Sequence, residues 1–308
     1  MSRFLVVAVL CALVVSGGAT SATSAPLARF LLVYVAGGEH RLAQSRDGIR
    51  WSAVADLAAQ PGSAPSAVRR GRTLYVFDSL QIVPEGLAGE VRRFRVGSSS
   101  LTELPPSEFT VQLATPLDLQ RADAVSGSVA VDETGQLTAL FALRFAPETN
   151  ACPAVGQACV KVRTATEAPG TDGALFTGDS GNRAVVSFAS GDTVRDPAAF
   201  ATAKGYLVAL SGPGQCFRLL RAADLHASYR PMPKLTGSCL GDEVSVATPT
   251  GVYRPLLKSH WLYGVSEGRV VRASTRTLTK HLPARRFRPV RLPGSPSVTS
   301  GRFAQNAP

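Results

Sequence analysis

The chain has 308 residues, 45% hydrophobic and 18% charged, with 33 Lys and Arg against 22 Asp and Glu for a net charge of +11. That composition excludes a disordered or collagen-like chain, and the length is enough to bury a large core in one or two domains. The positive sign favours polyanionic partners such as acidic glycans, anionic lipid or cell-wall polymers.

At the N-terminus Arg3 precedes an apolar run from Phe4 to Val15, followed by the small residues Gly17, Gly18, Ala19 and Ala22. That order predicts a signal peptide over residues 1–25, removed on export. The run is short for a bilayer span, which takes about 20 apolar residues, and no second segment of membrane length follows. The expected location is therefore secreted, or periplasmic and cell-envelope. Cys11 leaves with the signal. Cys152, Cys159, Cys216 and Cys239 remain, an even number that in an exported chain reads as disulfides. Cys152 would most simply pair with Cys159, and Cys216 with Cys239. Zinc is rejected, because the chain lacks Cys-x-x-Cys and has only four histidines.

The rest of the chain shows short apolar or alternating runs separated by Gly, Pro, Ser and Asp, a pattern of strands and turns with almost no helical period. Five apolar strands recur, at Leu31–Val35, Leu74–Phe77, Leu137–Leu143, Tyr206–Leu210 and Trp261–Val265. Four have a short strand before them, at Ser66–Arg69, Ser128–Val131, Pro197–Thr202 and Val244–Ala247. Each has a basic strand after it, at His40–Gln44, Val91–Val96, Val160–Thr164, Phe217–Arg221 and Val270–Ser274. A repeat of this size cannot hide its own faces, so stacking around an axis is expected. The predicted fold is all-β: a single β-propeller over residues 26–294, of five blades of four antiparallel strands, with a disordered tail at 295–308. The first unit lacks an innermost strand, and Phe287–Leu292 is the candidate to close the ring.

Ser45-Arg46-Asp47-Gly48-Ile49-Arg50-Trp51 resembles the Asp-box, Ser-x-Asp-Gly-x-x-Trp, of sialidases and related propellers. Asp47 would accept turn amides, Gly48 permits an unusual φ, and Trp51 packs between sheets. Degenerate versions are expected at Ser98-Ser99-Ser100 and Ala223-Asp224-Leu225. The Asp-box implies a propeller and not sialidase activity.

Arg195-Asp196-Pro197 leading into Gly205-Tyr206-Leu207-Val208 resembles five-bladed glycoside hydrolases of the arabinanase and invertase type. That resemblance implies Asp196 at the mouth of a central funnel, with Glu243 in Asp242-Glu243-Val244 at the equivalent entry one unit later. Asp123 is a looser third acid. Glycosidases need two carboxylates about the scissile bond, yet Ser24-Ala25-Pro26-Leu27 and Gly62-Ser63-Ala64-Pro65 carry none. Arg195, Arg254 and Tyr253 are the candidate substrate-binding residues.

The leading reading is a module that binds a glycan, an acidic polymer or a protein partner at the funnel or rim. A glycosidase using Asp196 and Glu243 is the alternative. A third reading is an envelope protein docking through the dense basic patch Lys280–Arg291, the net charge being otherwise dispersed over strands. Gly178-Asp179-Ser180-Gly181 matches a serine-protease segment but lacks a suitable histidine, and reads as a turn. No cofactor or nucleic-acid module is indicated. Asp132-Glu133-Thr134-Gly135 and Asp172-Gly173 are the two places where a structural calcium is compatible with the residues.

Overall fold

The computed structural model describes residues 30–57, 65–78, 80–97, 101–113, 117–189, 194–212, 217–232, 247–278, 282–303 and 305–306. The predicted signal peptide, Cys216, Cys239, Glu243 and Ser98–Ser100 lie outside them. Strands β1 (Phe30–Ala36), β2 (Glu39–Ser45) and β3 (Ser52–Leu57) form an antiparallel meander. Next come β4 (Ser66–Arg70), β5 (Thr73–Phe77), β6 (Gln81–Val83), β7 (Gly86–Val96), β8 (Leu101–Glu103) and β9 (Ser107–Gln112). A helical turn, α1 (Leu117–Arg121), leads to β10 (Ala124–Val131), β11 (Leu137–Phe145), β12 (Ala158–Glu167), β13 (Leu175–Gly178) and β14 (Ala184–Phe188). Two further meanders follow: β15 (Arg195–Thr202), β16 (Gly205–Ser211), β17 (Phe217–Ala222) and β18 (Arg230–Pro231), then β19 (Ala247–Arg254), β20 (Ser259–Ser266), β21 (Arg269–Thr275) and β22 (Arg288–Pro289). The chain ends with β23 (Val298–Phe303) and β24 (Gln305–Asn306).

Three sheets have four strands, ordered β23-β1-β2-β3, β15-β16-β17-β18 and β19-β20-β21-β22. The remaining strands form one sheet of twelve, in which parallel pairing of β9 with β13 joins two antiparallel arrays. The strands β4, β10, β15, β19 and β23 each touch the next, and β23 touches β4. This closed ring of innermost strands makes the fold a β-propeller.

Alternation along the apolar strands explains the ring. Leu31 and Val33 of β1 pack with Leu74 and Val76 of β5, whereas Leu32 and Tyr34 pack with Trp261 and Tyr263 of β20. Tyr75 and Phe77 of β5 meet Leu137 and Phe141 of β11, and Leu140 meets Val208 of β16. Leu207 and Ala209 then meet Leu262 of β20. Successive side chains point to opposite faces of a strand, so each second strand serves two neighbouring sheets. A buried Leu or Phe contributes roughly 1.5–3 kcal/mol relative to exposure, and neither face can be left open.

Closure differs from the sequence expectation. β23 pairs antiparallel with β1 and supplies the missing innermost strand, so residues 295–308 contain a strand where a tail was expected. Phe287–Leu292 instead holds the short outer strand β22 against β21. Pro289 lacks a ladder donor and suits a sheet edge. Gly301 suits the axis, since a Cβ there would lie 3.3 Å from that of Tyr34. Of the strand expected at Val244–Ala247 only Ala247 lies among the described residues, and it begins β19, which runs to Arg254. Cys152 and Cys159 form a disulfide in the β11–β12 hairpin, with Cα atoms 5.6 Å apart.

Candidate functional site

The innermost strands β15 and β19 begin with the same irregularity. In β15 the register shifts between Arg195 and Ala198, and in β19 between Ala247 and Thr250. The skipped pairs are Asp196-Pro197 and Thr248-Pro249, a proline that cannot donate to the ladder accompanying each bulge. Asp196 has φ 58 and Thr248 φ 46, conformations that cost an L-residue free energy and persist where the surroundings fix them.

The surroundings are polar bridges across the ring. The Asp196 amide donates to Ser126 Oγ of β10 at 2.8 Å. Thr248 Oγ1 exchanges bonds of 3.2 Å with the Gly301 carbonyl and amide of β23. Ser66 Oγ of β4 accepts from the Val129 amide of β10 at 2.8 Å. Arg302 of β23 reaches toward the axis and is only 2% exposed. Its Nη1 donates to the Gly127 carbonyl at 2.8 Å and the Pro197 carbonyl at 3.4 Å, and Nη2 stands 3.8 Å from Asp196 Oδ1. Arg302 Nε and Nη2 make no hydrogen bond among the described residues. Burial lowers the Arg302 guanidinium while Asp196 opposes the shift, and arginine stays charged throughout the ordinary pH range. Arg195, largely exposed, adds a second contact at 3.4 Å from Nε to Asp196 Oδ2.

Asp196 and Arg195 are thus brought together at one end of the axis, and Arg302 is the residue that sequence reading missed. Asp123, just before β10, faces Arg144 at 3.5 Å. The register equivalent of Asp196 in the next sheet is Thr248. The recurrence of a Pro after the second strand residue was the legible signal. Arg254 and Tyr253 end β19, with Arg254 six residues beyond Thr248 and so about 20 Å along the strand. Arg254 stacks on Trp261 at 4.1 Å, with Arg272 at 4.7 Å from the same ring, and Tyr253 lies 4.9 Å from the His260 ring. Arg254 also lies 5.2 Å from the Phe30 ring of β1, and neither candidate joins Asp196.

The Ser45–Trp51 turn between β2 and β3 is closed by its own side chains. Asp47 Oδ1 accepts the Arg50 and Ile49 amides at 2.9 and 2.8 Å, which hold its carboxyl below the usual range. Ser45 Oγ accepts the Gly48 amide at 2.7 Å, and Trp51 is buried. Gly48 has φ 69, and a Cβ there would fall 2.2 Å from Trp261 Cζ3. Asp224 repeats the device, accepting the His226 and Ala227 amides at 2.8 and 2.7 Å.

Two further clusters lie away from the axis, one tying the two arrays of the twelve-stranded sheet and one tying that sheet to the β15–β18 sheet. Arg70 pairs with Glu167 and with Asp172 at 3.1 Å, and Arg93 with Asp172 at 3.0 Å. Tyr75 donates to Asp172, and burial together with that bond raises its phenol. The calcium suggested at Asp172 is overturned, since guanidinium groups occupy the carboxylate. At Asp132 the turn uses Oδ1, which accepts from the Thr134 amide and hydroxyl and from the Gln136 amide. Asp179 of the protease-like segment accepts from Thr164 and Thr166 at 2.6 and 3.0 Å and meets His226 Nδ1 at 2.7 Å. It serves a joint between sheets.

No family model and no curated protein matches this chain. Among solved structures it is similar to the endo-arabinase of Bacteroides thetaiotaomicron, at 11% identity and TM-score 0.48 over 89% of this chain and 99% of that one. An exo-β-1,3-galactanase of Phanerochaete chrysosporium shows 15% identity and TM-score 0.45, covering 75% of this chain and 51% of that one. A mutant sialidase of Trypanosoma rangeli shows 10% identity and TM-score 0.46, covering 82% and 49%. This chain spans about half the length of the galactanase and the sialidase.

Proposed function

We propose that this propeller has five blades and processes a glycan at the mouth of its axis in the manner of a glycoside hydrolase, with Asp196 the carboxylate that meets the sugar. The ring of innermost strands supports the blade count. The observation that carries the site is a single constellation: Asp196, held in a strained bulge, beside a buried guanidinium with unused donors. The Asp196 carboxylate beside the exposed Arg195 guanidinium offers an acceptor and donors that complement the hydroxyls of a sugar. The Asp196 side chain keeps 11% of its surface exposed and Arg302 only 2%, so Arg302 is a positioning residue. In this reading Asp196 acts as base or transition-state support and Glu243 or Asp123 as general acid. Export through residues 1–25 and a Cys216–Cys239 bridge complete the proposal, and the Cys152–Cys159 disulfide is in keeping with an oxidising compartment.

A second reading, glycan binding without hydrolysis, is favoured by Thr248 standing where a second acid would be. A panel of aryl glycosides paired with a glycan array separates the two. Hydrolysis that falls about 100-fold or more in Asp196→Asn supports the enzyme. Array binding without turnover, lost in the same variant, supports the module. Activity or binding indifferent to Asp196→Asn sinks both.

A further inference from the structure

The net charge is not spread over the molecule. Residues 247–308 hold eleven Lys and Arg against Glu267 alone, a net +10 of the chain's +11. Basic residues are dispersed along the chain, 22 of the 33 lying before residue 247, but the excess over acids falls in this segment. Glu267 sits in the β20–β21 turn, and the eight residues of β20 put it about 26 Å from the opposite β19–β20 end.

That opposite end has an unusual tip. Pro255–Leu257 form a 3-10 turn ending in Lys258 with φ 43. Leu256 is 89% exposed and Leu257 51%. Leu257 shares a cleft of about 410 Å³ with Thr275, Arg276 and Arg286. The side chains of Arg276, Arg285 and Arg286 are exposed and make no ion pair among the described residues. Adjacent exposed leucines at a loop tip offer apolar surface to a partner. Arginines alone would suit any polyanion, and leucines alone any apolar partner. Their coincidence at one tip fits an interface whose outer layer is anionic and whose inner layer is hydrocarbon.

We infer that the β19–β20 tip docks on an anionic bilayer, Leu256 and Leu257 entering the acyl boundary while Lys258, Arg276 and Arg286 meet lipid phosphates. No helix among the described residues is long and apolar enough to cross a membrane, and the inference concerns adhesion only. The experiment is co-sedimentation of the full chain with vesicles of phosphatidylcholine alone and of phosphatidylcholine and phosphatidylglycerol in equal parts. Binding is expected to the mixed vesicles only, falling about tenfold or more in Leu256→Ser/Leu257→Ser and by a similar factor in Arg276→Gln/Arg286→Gln. A Leu256→Trp variant, whose fold is left intact by a change at an exposed site, is expected to shift its emission to the blue on mixed vesicles. Absence of binding, equal binding to both vesicles, or an unshifted emission from the Leu256→Trp variant overturns the inference. So does loss with the arginine pair alone while the leucine variant binds normally, which would mark a soluble polyanion as the partner.

Discussion

The sheets containing β10 and β15 meet twice, and the two joints are built from different chemistry. At the axis Ser126, Gly127 and Pro197 surround Asp196 and the buried Arg302. At the rim, Asp179 receives two threonine hydroxyls and His226, with Asp132 4.0 Å from the other ring nitrogen and Arg183 bonded to the Thr164 hydroxyl. Between them lies the apolar contact of Leu140 and Val160 with Val208 and Leu210. A guanidinium keeps its charge at every ordinary pH, whereas an imidazole and a carboxylate do not. The axial joint therefore holds its electrostatics constant, and the rim joint answers to proton concentration.

The largest expected effect comes from breaking the axial pair. Arg302→Met leaves Asp196 with only the exposed Arg195 as counter-ion and the Gly127 and Pro197 carbonyls without their donor, and should cost about 3–5 kcal/mol in urea unfolding. Asp196→Asn leaves the guanidinium uncompensated and should cost somewhat less, about 2–4 kcal/mol. The double variant should recover to within about 1 kcal/mol of the parent, because matched removal of both charges is close to neutral. Additive losses in the double variant would show that the two side chains do not act as a pair.

At the rim the effect is smaller and depends on pH. Burial pushes the Asp179 carboxyl up, but hydrogen bonds from His226 and the two threonines outweigh it and hold the group at about 2. An acid depressed in the folded state stabilises above its unfolded value near 3.8 and loses that contribution as pH falls toward 2. His226 is shifted upward, chiefly by its bond to Asp179, with burial opposing and Asp132 and Asp224 adding to the rise. Its contribution is complete below about 6.5 and disappears as pH rises through the folded value. The joint should be firmest between about pH 4 and 6.5. Thermal melts of the parent and His226→Gln should differ most inside that window and converge above and below it. A constant difference across pH would leave His226 with a packing role only.

Much of this frame was readable from residues. Continuous apolar runs located β1, β5, β11, β16 and β20, because a strand buried on two faces leaves no room for polar residues. Ser45–Trp51 was readable because its bonds join residues two and three apart. Arg302 was not, since its partners Gly127 and Pro197 are remote in sequence and nothing local marks an arginine for burial. The same reason hid β23, whose small and polar residues look like a tail until the axis requires them. In the next sheet the bulge carries Thr248 where an acid is sought, and the recurring proline is the guide to it.

The mildest test concerns what holds Asp196 in its unusual conformation. Ser126→Ala removes the acceptor of the Asp196 amide, and one hydrogen bond of this kind contributes about 1 kcal/mol. Thr248→Val removes the corresponding bridge to Gly301 in the neighbouring sheet and should cost a similar amount. Equal losses of stability are expected, measured by urea unfolding at neutral pH. Any glycan binding or turnover should fall in Ser126→Ala and stay unchanged in Thr248→Val, since only the first bridge orients a carboxylate. If both variants lose function equally, the bulges matter for the shape of the axis and Asp196 has no privileged place in it.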